Sequence, residues 1–563
     1  MKKLFTLMLA AMLMVSAVAC ADYTPGTYTA EGPGRNGPVV IEVTFDETSI
    51  TDAKVVSHKE TAHIGTWAID EMPGKLVEKQ HMPDMVSGAT QTSVALYAAI
   101  ADAIKQAGGD VAAMTAKLEA EPVAEAAVEC DVVVVGAGGA GLSAAIALKN
   151  AGKNVILIEK EGILGGTSVT ASSYISGWGT SVHEKANSPM TAEIYGQYFV
   201  SAKLWEENPT AAQRMVDLTP VMMEDLMSYG ADLSNLIDGL FQMGPADGST
   251  IGGIVIPAMV SEVERLGIDV RRNTKAISII NENGAAKGVV VETKGGTYEI
   301  HADAVMMTFG GYFHNKELVE KYSPQYAQYG TTWSVGSTGE GLAMCQEMGA
   351  YLGGMETPTI NPTGYPVPGT DNMMSFSNFR YYGCILVGAS TGTRFHNELG
   401  DYTAIAMAMP EGKAYAVFDD AVFQSSVTIQ EYFDLGYFMK ADTLEELAAL
   451  VNLDPATLKK TVEDYTAIAK AGVDEEFGRT QFASDLSTAP YYITTVPVEP
   501  ALHSAVGGVV TNGRGQAIRE DGSVIEGLYV AGNAADNTFQ PNALAGVTFA
   551  RVVSEYIVED IAK

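Results

Sequence analysis

Cysteine and positive charge are scarce in this 563-residue chain. Its four cysteines, Cys20, Cys130, Cys345 and Cys384, form no CxxC, no CxxCH and no zinc-like spacing. That excludes a disulfide framework, a c-type haem and an iron–sulfur cluster, and the histidines add no metal pattern. Thirty-five Lys and Arg face 68 Asp and Glu, a net charge of −33. Such an acidic surface repels nucleic-acid phosphate and anionic lipid. Internal repeats, low-complexity tracts and membrane-length apolar runs are missing as well. What is present is a 47% hydrophobic fraction, which excludes a disordered chain, and 58 glycines, an excess that points to close backbone approaches. The length predicts three or four folding units.

Lys2 and Lys3 precede an apolar run from Leu4 to Val15 and then Ser16-Ala17-Val18-Ala19-Cys20. A charged start, a short apolar stretch and an A-x-A site describe a secretory signal peptide over 1–19. Ala17-Val18-Ala19-Cys20 also resembles a bacterial lipoprotein signal, which would make Cys20 the lipidated N-terminus. Either reading exports the protein, to the outer face of the cytoplasmic membrane or to the periplasm.

Alternating apolar residues predict strands at 39–45 and 50–57 and helices at 65–79 and 91–107, a small α+β unit over 20–108. An Ala-, Glu- and Gly-rich stretch at 109–128 reads as a partly helical linker. A continuous apolar strand at 131–135, a helix at 139–151 and a strand at 155–158 then open a β-α-β unit.

Asp84-Met85-Val86-Ser87-Gly88-Ala89-Thr90 leads into the 91–107 helix. As a bare pattern this is an ordinary helix start, with capping hydroxyls and a turn glycine. The segment also resembles the Asp-x-x-Ser-Gly-Ala-Thr attachment motif of FMN-binding domains in sodium-pumping and respiratory electron-transfer complexes. Gly26-Thr27-Tyr28 and Ser57-His58-Lys59-Glu60-Thr61 match the same domain. The resemblance implies FMN held covalently through Thr90 by a phosphoester, attached by a dedicated flavin transferase that Asp84 would serve. A helix N-terminus suits the phosphate.

Gly136-Ala137-Gly138-Gly139-Ala140-Gly141 follows strand 131–135 and begins a helix, and Glu159 closes the second strand. This is the dinucleotide-binding pattern: glycines for the turn and the pyrophosphate, an acid for the ribose. Four further segments resemble the fumarate reductase and urocanate reductase-like (flavocytochrome c) FAD flavoproteins: Glu161–Ser168, Ala302–Gly311, Gly336–Gly341 and Gly527–Asn533. The resemblance implies an α/β fold: a Rossmann-like FAD domain of glutathione-reductase type over 129–359 and 501–563, with an inserted α+β capping domain at 360–500. It also implies non-covalent FAD contacted by Gly136, Ala137, Gly138, Gly141, Glu159, Gly165, Gly166, Thr167, Ser168, Ala276, Gly310, Gly311, Glu340, His503, Gly532, Asn533, Val547 and Thr548.

The expected substrate pocket departs from that family. In the family an arginine four residues after a Gly-x-Arg-Phe-x-Asn-Glu segment donates the proton, while FAD gives hydride to the other alkene carbon. Here Gly392-Thr393-Arg394-Phe395-His396-Asn397-Glu398 is followed by Tyr402. The family's two substrate histidines correspond to Asn361 and Ser504, and its second clamping arginine to Ala543. Phe376-Ser377-Asn378-Phe379-Arg380 keeps only the arginine of a Thr-Glu-x-x-Arg run. A dicarboxylate without cationic clamps is costly to bury, so fumarate and urocanate are rejected as substrates. Phe376, Phe539, Tyr381 and Tyr382 suggest a wider pocket for a bulkier, less charged molecule.

Tyr402 at this spacing resembles the 3-ketosteroid dehydrogenases, where a tyrosine exchanges a proton beside a carbonyl. The catalytic candidates are therefore Tyr402 and, as rival donor or relay, Arg380. The leading expectation is an exported ene-reductase that passes electrons from FMN to FAD and reduces a C=C bond conjugated to a carbonyl, in an enone or enoate. A membrane-associated donor would supply the electrons. The alternatives are a 3-ketosteroid dehydrogenase-like enzyme working oxidatively and a non-catalytic surface electron carrier.

Overall fold

The computed structural model describes residues 23–115, 126–172, 174–237, 242–356, 358–367, 370–504, 507–536 and 545–562. The chain divides into two compact units, Met1–Ala120 and Glu121–Lys563. The expected signal peptide, Cys20, Phe539 and Ala543 lie outside the described residues.

In the first unit three antiparallel strands, Gly26–Gly34, Gly37–Phe45 and Ile50–Ser57, carry helices Gly65–Lys79 and Thr90–Gln106. Val39, Ile41, Val43 and Phe45 alternate into the core with Leu96, Ala99, Ile100 and Ala103 of the second helix. The strand Gly26–Gly34 escaped the sequence reading because its glycines and proline mask any alternation. Gly32 explains itself in space: a Cβ there would stand 1.9 Å from the Ala95 carbonyl oxygen, so helix and strand touch backbone to backbone.

The second unit is built on parallel strands in the order Asp269–Arg271, Val155–Ile158, Val128–Val135, Gly296–Met307, Val524–Val530. Two antiparallel strands, Lys275–Glu282 and Ala285–Thr293, extend the first half of Gly296–Met307. Val132–Val135 and Val155–Ile158 are buried throughout, as strands with both faces covered must be. The β-α-β opening runs Val128–Val135, Gly139–Asn150 and Val155–Ile158.

A separate hydrophobic core lies within 365–498. The chain enters this region along Thr359–Pro366 and leaves along Glu499–Ser504, which pair antiparallel. Between them a four-stranded sheet, Ile385–Gly388, Ala414–Asp419, Tyr491–Thr494 and Phe438–Ala441, packs with helices Leu444–Leu450 and Pro455–Ala471. The architecture is thus mixed α/β, with an α+β region inserted into the sheet-based unit and a separate N-terminal α+β unit.

Phe376 corrects the sequence reading. Expected in the substrate pocket, it is 1% exposed and stacks among Tyr365, Phe379, Tyr432 and Phe438 in the inserted region's core. Its place after the short strand Met373–Ser375 turns the ring inward, and the apolar enclosure holds it there. Phe376→Ala is expected to cost about 3–5 kcal/mol, as for other buried aromatics. A lowered thermal midpoint would show it; an unchanged midpoint would return Phe376 to the pocket wall.

Candidate functional site

In the first unit Thr90 is exposed at the first position of its helix. The preceding loop is tied to the first turn. The Val86 N–H donates to Ser93 Oγ at 3.0 Å, and the Ser93 hydroxyl donates to the Ala89 carbonyl at 3.0 Å. Gly88 takes φ +86°, a turn open to glycine. The hydroxyl of Thr90 therefore stands at a helix N-terminus, a setting that favours a phosphate. Sequence reading gave Glu60 no role of its own. It is buried, accepts the Thr92 hydroxyl on one oxygen and the Asn36 N–H at 3.1 Å on the other, and so fastens the helix start to the hairpin turn.

In the second unit the glycine turn after Val135 divides its labour. Gly136 has φ +103°, and a Cβ there would come within 2.8 Å of the Thr308 carbonyl oxygen. Gly141 lies so close to the Gly136 carbonyl that a Cβ would meet it at 1.9 Å, and Gly311 abuts Trp333 at 2.2 Å. These are packing glycines. Gly138 and Gly310 are different: a Cβ on Gly138 would find nothing nearer than 3.9 Å, and one on Gly310 nothing within 4 Å. The cradle is closed behind and open in front at a helix N-terminus, where a pyrophosphate fits. No ligand is needed to see this shape.

Glu159 is 9% exposed and accepts the Ala137 N–H at 2.8 Å and the Glu161 N–H at 2.9 Å. Burial pushes its carboxyl above the usual range, against these two donors. Each oxygen keeps a lone pair for a hydroxyl. Ala276 is buried close by, on the strand that begins just after Thr274, whose N–H donates to the Glu159 carbonyl at 2.9 Å. The loop carrying Gly165 and Gly166 returns to the turn through Gly165 N–H to Ala137 O at 2.9 Å, and Ser168 Oγ accepts the Gly139 N–H at 3.3 Å. Thr167 accepts the Ser334 N–H at 3.1 Å.

Glu340 is engaged by Lys160 at 3.0 Å and Lys275 at 3.3 Å. Burial would raise its carboxyl, but hydrogen bonds from Thr338, its own N–H and Lys160 outweigh this and hold it at about 2. Gly532, at φ +70°, abuts Ala140, and half-buried Asn533 follows it. The Val547 carbonyl accepts the Ser143 hydroxyl at 2.8 Å, whereas the Thr548 hydroxyl faces Met222 Sδ at 3.2 Å. Among the described residues no group of three or more His, Cys, Asp or Glu is placed to hold a metal.

The inserted region and its two connecting strands bring the catalytic candidates together. Arg380 closes the short turn Ser377–Arg380 and is 0% exposed. Its guanidinium lies over the Tyr402 ring, 4.3 Å from the centroid. Tyr402 starts the helix Tyr402–Ala408, capped by Asp401, which accepts the Ala404 N–H at 2.8 Å. The Tyr402 and His503 rings are 5.9 Å apart. His503 Nδ1 is 2.8 Å from Thr332 Oγ1. Burial, then the charge of Arg380, pushes the imidazole down to about 4, so it is neutral at ordinary pH.

Asn361, read from sequence as a substrate contact, is fully buried and its amide is occupied. Its Nδ2 donates to Ser375 and Ser377 hydroxyls at 2.8 and 2.9 Å and lies 3.4 Å from His503 Nδ1. Its Oδ1 accepts from Thr363 N–H and hydroxyl. It positions His503 from behind. Ser504 is half-buried beside it, paired with Thr359.

Sequence reading also missed Arg479 and Asp474. Glu398 accepts Arg394 on both oxygens at 2.7 and 2.8 Å and Arg479 at 2.9 Å, and Arg394 reaches Asp474 at 3.0 Å. The Arg394–Glu398 spacing was visible; the partners 80 residues away were not. The three described cysteines are free, and burial pushes each thiol up to about 12, leaving them unreactive.

The FAD binding domain family matches residues 131–548, and an FMN-binding domain matches residues 34–105. The chain belongs to the first of these families and carries both flavin-binding domains. It is 28% identical to the NADH:fumarate oxidoreductase of Klebsiella pneumoniae over 557 residues, 96% of this chain and 59% of the relative. The chain thus spans about three fifths of that relative's length. It is 28% identical to the urocanate reductase of Eggerthella lenta over 560 residues, 93% of this chain and 90% of that one. Among solved structures it resembles the open conformation of a flavocytochrome c3 fumarate reductase, with TM-score 0.62, 27% identity and coverage of 77% and 79%. A 3-ketosteroid delta1-dehydrogenase from Sterolibacterium denitrificans shares the fold, with TM-score 0.58, 20% identity and coverage of 77% and 100%.

The neutral state of His503 has a pH signature. Unfolded, the imidazole titrates near its ordinary 6.5; folded, near 4. Between these values the unfolded chain binds more protons, so stability falls as pH drops through that window. His503→Gln should flatten the fall by several degrees of thermal midpoint between pH 7 and pH 4.5. An equal fall in both proteins would mean that His503 titrates normally.

Proposed function

We propose that the protein is a flavin-dependent ene-reductase, acting on a C=C bond conjugated to a carbonyl in a substrate other than a dicarboxylate. The observation that carries this reading is Tyr402 at a helix start, half-buried, with the Arg380 guanidinium over its ring and neutral His503 beside it. The cradle at Gly136–Gly141 with Glu159 would hold FAD, which would supply two electrons and a proton to one alkene carbon, and Thr90 would hold the FMN from which those electrons would come. Tyr402 holds the proton for the other carbon, and its phenol is a competent donor at that position. Arg380 steadies the oxygen on which negative charge gathers. Asn361 and Thr332 fix the His503 ring, and Ser504 borders the same strand end.

Support for the reaction class comes from the relatives, which are named for reduction of fumarate and urocanate. The substitution of Tyr, Asn and Ser for the resembling family's cationic contacts turns this chain away from those two acids. Within the proposal, residues 20–108 carry FMN on Thr90 after a flavin transferase has acted, 129–359 with 501–563 hold FAD, and 360–500 cap the substrate. The leader at 1–19 exports the chain, with Cys20 as the site of lipid attachment, and a membrane-associated donor reduces FMN. No helix among the described residues is long and apolar enough to cross a membrane.

One observation favours a second reading. The fold is shared with a 3-ketosteroid dehydrogenase, the spacing of Tyr402 resembles that of the tyrosine in such enzymes, and an enzyme of that kind would run oxidatively. Reduction of FAD by a saturated 3-keto steroid alone would establish it in place of the first.

Tyr402→Phe should leave flavin reduction intact and reduce turnover by at least ~10²-fold, as loss of a general acid does. Near-normal turnover would remove Tyr402 from the chemistry. Thr90→Ala should abolish flavin fluorescence that survives denaturing electrophoresis while the purified protein keeps its FAD. Persistent covalent fluorescence would move the attachment to another residue.

A further inference from the structure

Asn361 lies in the strand Thr359–Pro366 with 0% of its surface exposed, and its amide has only one possible sense. The Thr363 backbone N–H, which can only donate, is 2.7 Å from one end of the amide, so that end is the oxygen Oδ1. The other end is Nδ2, a group with two hydrogens and no lone pair to accept with. Around it stand the Ser375 hydroxyl at 2.8 Å, the Ser377 hydroxyl at 2.9 Å and His503 Nδ1 at 3.4 Å. Both serine oxygens can accept whichever way their own protons turn. His503 Nδ1 can do so only without a proton.

A neutral imidazole carries one proton, on Nδ1 or on Nε2. A proton on Nδ1 would face the Asn361 hydrogens, donor against donor, where no water can intervene. Thr332 by itself is indifferent. Its hydroxyl lies 2.8 Å from Nδ1 and 3.4 Å from the Leu502 carbonyl, so it can accept from the ring and donate to the carbonyl, or donate to the ring. Asn361 removes that choice: with Nδ1 bare, the Thr332 hydroxyl donates along the shorter of its two contacts. A second proton is also disfavoured. The charged and titratable groups facing the ring are Arg380 and Tyr402, and burial, then the Arg380 charge, pushes the imidazole down to about 4. The one proton is left to Nε2, which has no hydrogen-bond partner among the described residues.

We infer that Asn361 is a positioning residue: with Thr332 it holds His503 as the neutral tautomer protonated on Nε2, an N–H donor of fixed sense that does not relay a proton. Its bearing on catalysis rests on the reading of the site as an alkene reductase. There the proton for the second carbon is left to Tyr402, because a neutral imidazole gives up its single N–H proton far less readily than a phenol does. The N–H can still share a hydrogen bond with an oxygen on which negative charge gathers. The residue type at 361 acquires a reason. A histidine there, as in the resembling family, would titrate and could present its ring nitrogen in either sense. An amide fixed by Thr363 presents one sense and adds no charge.

The test needs no substrate, so its outcome is separate from that of the alkene-reductase reading. Full-length protein with both flavins bound and oxidised is labelled with nitrogen-15 in its histidine rings, and the His503 signals are identified by their loss in His503→Gln. Two-bond proton–nitrogen correlation spectra tell a protonated ring nitrogen from a bare one. At pH 7, and down to about pH 5.5, Nδ1 should be bare and Nε2 protonated. A protonated Nδ1, or an averaged mixture of the two tautomers, overturns the inference. Asn361→Asp puts an acceptor where the amide donor stood. It should move the proton to Nδ1 and raise the titration midpoint of the imidazole by about 1–3 pH units, the range for a carboxylate that close. Asn361→Leu keeps the bulk and removes the donor, and should give a mixture of tautomers because Thr332 accepts either sense; if the Asp variant does not fold, this one decides. A single Nε2-protonated tautomer persisting in Asn361→Leu overturns the role of Asn361.

Discussion

A single buried carboxylate holds the candidate site in shape. Glu398 takes three hydrogen bonds from Arg394 and Arg479, and its own backbone carbonyl takes one from Arg380. Arg479 donates in turn to the Arg380 carbonyl at 3.2 Å. Three stretches far apart in sequence, 377–380, 394–398 and 474–479, are thereby fixed to one point. Tyr402 begins its helix four residues later, so its position under Arg380 follows from the same anchor. Removing one partner of such a buried network leaves an unpaired charge and costs about 3–5 kcal/mol. Arg380 meets the backbone carbonyl of Glu398, while the Glu398 carboxylate is engaged by Arg394 and Arg479.

The cofactor cradle obeys a different constraint, that of close backbone packing. Gly136, Gly141 and Gly311 allow strand, helix and loop to touch, while Gly138 and Gly310 leave space on the ligand side. The Thr308 hydroxyl, donating to the carbonyls of Val135 at 3.0 Å and Gly136 at 2.8 Å, ties the two strand ends together behind the opening. Rigidity behind and vacancy in front are what a pyrophosphate needs from a polypeptide, since the binding groups are backbone N–H groups whose direction only the fold can set.

What the sequence made legible follows the range of the interactions concerned. The helix at Gly65–Lys79, the strand at Val155–Ile158 and the glycine turn are local patterns of period or spacing, and they stand where the pattern puts them. Strand Gly26–Gly34 was hidden because its pairing partner, and not its own composition, makes it a strand. Phe376 and Asn361 were placed in the pocket by alignment of motifs, yet a shift in which face looks inward is decided by neighbours such as Tyr432 and Thr363 that lie across turns. Arg479, Asp474 and Glu60 carry no local signature at all. Each matters because a group more than 20 residues away needs a counter-charge or a hydrogen bond.

The acidity of the chain and the buried cation act over different ranges, and this separates two properties that composition alone runs together. A net charge of −33 lies largely on exposed side chains, where salt confines each interaction to roughly 8 Å at physiological ionic strength. It governs which macromolecules approach and how fast an anion diffuses in. Arg380 is enclosed and unscreened by salt, so its field persists at Tyr402 and His503. Surface acidity therefore says little about the charge of whatever enters the site.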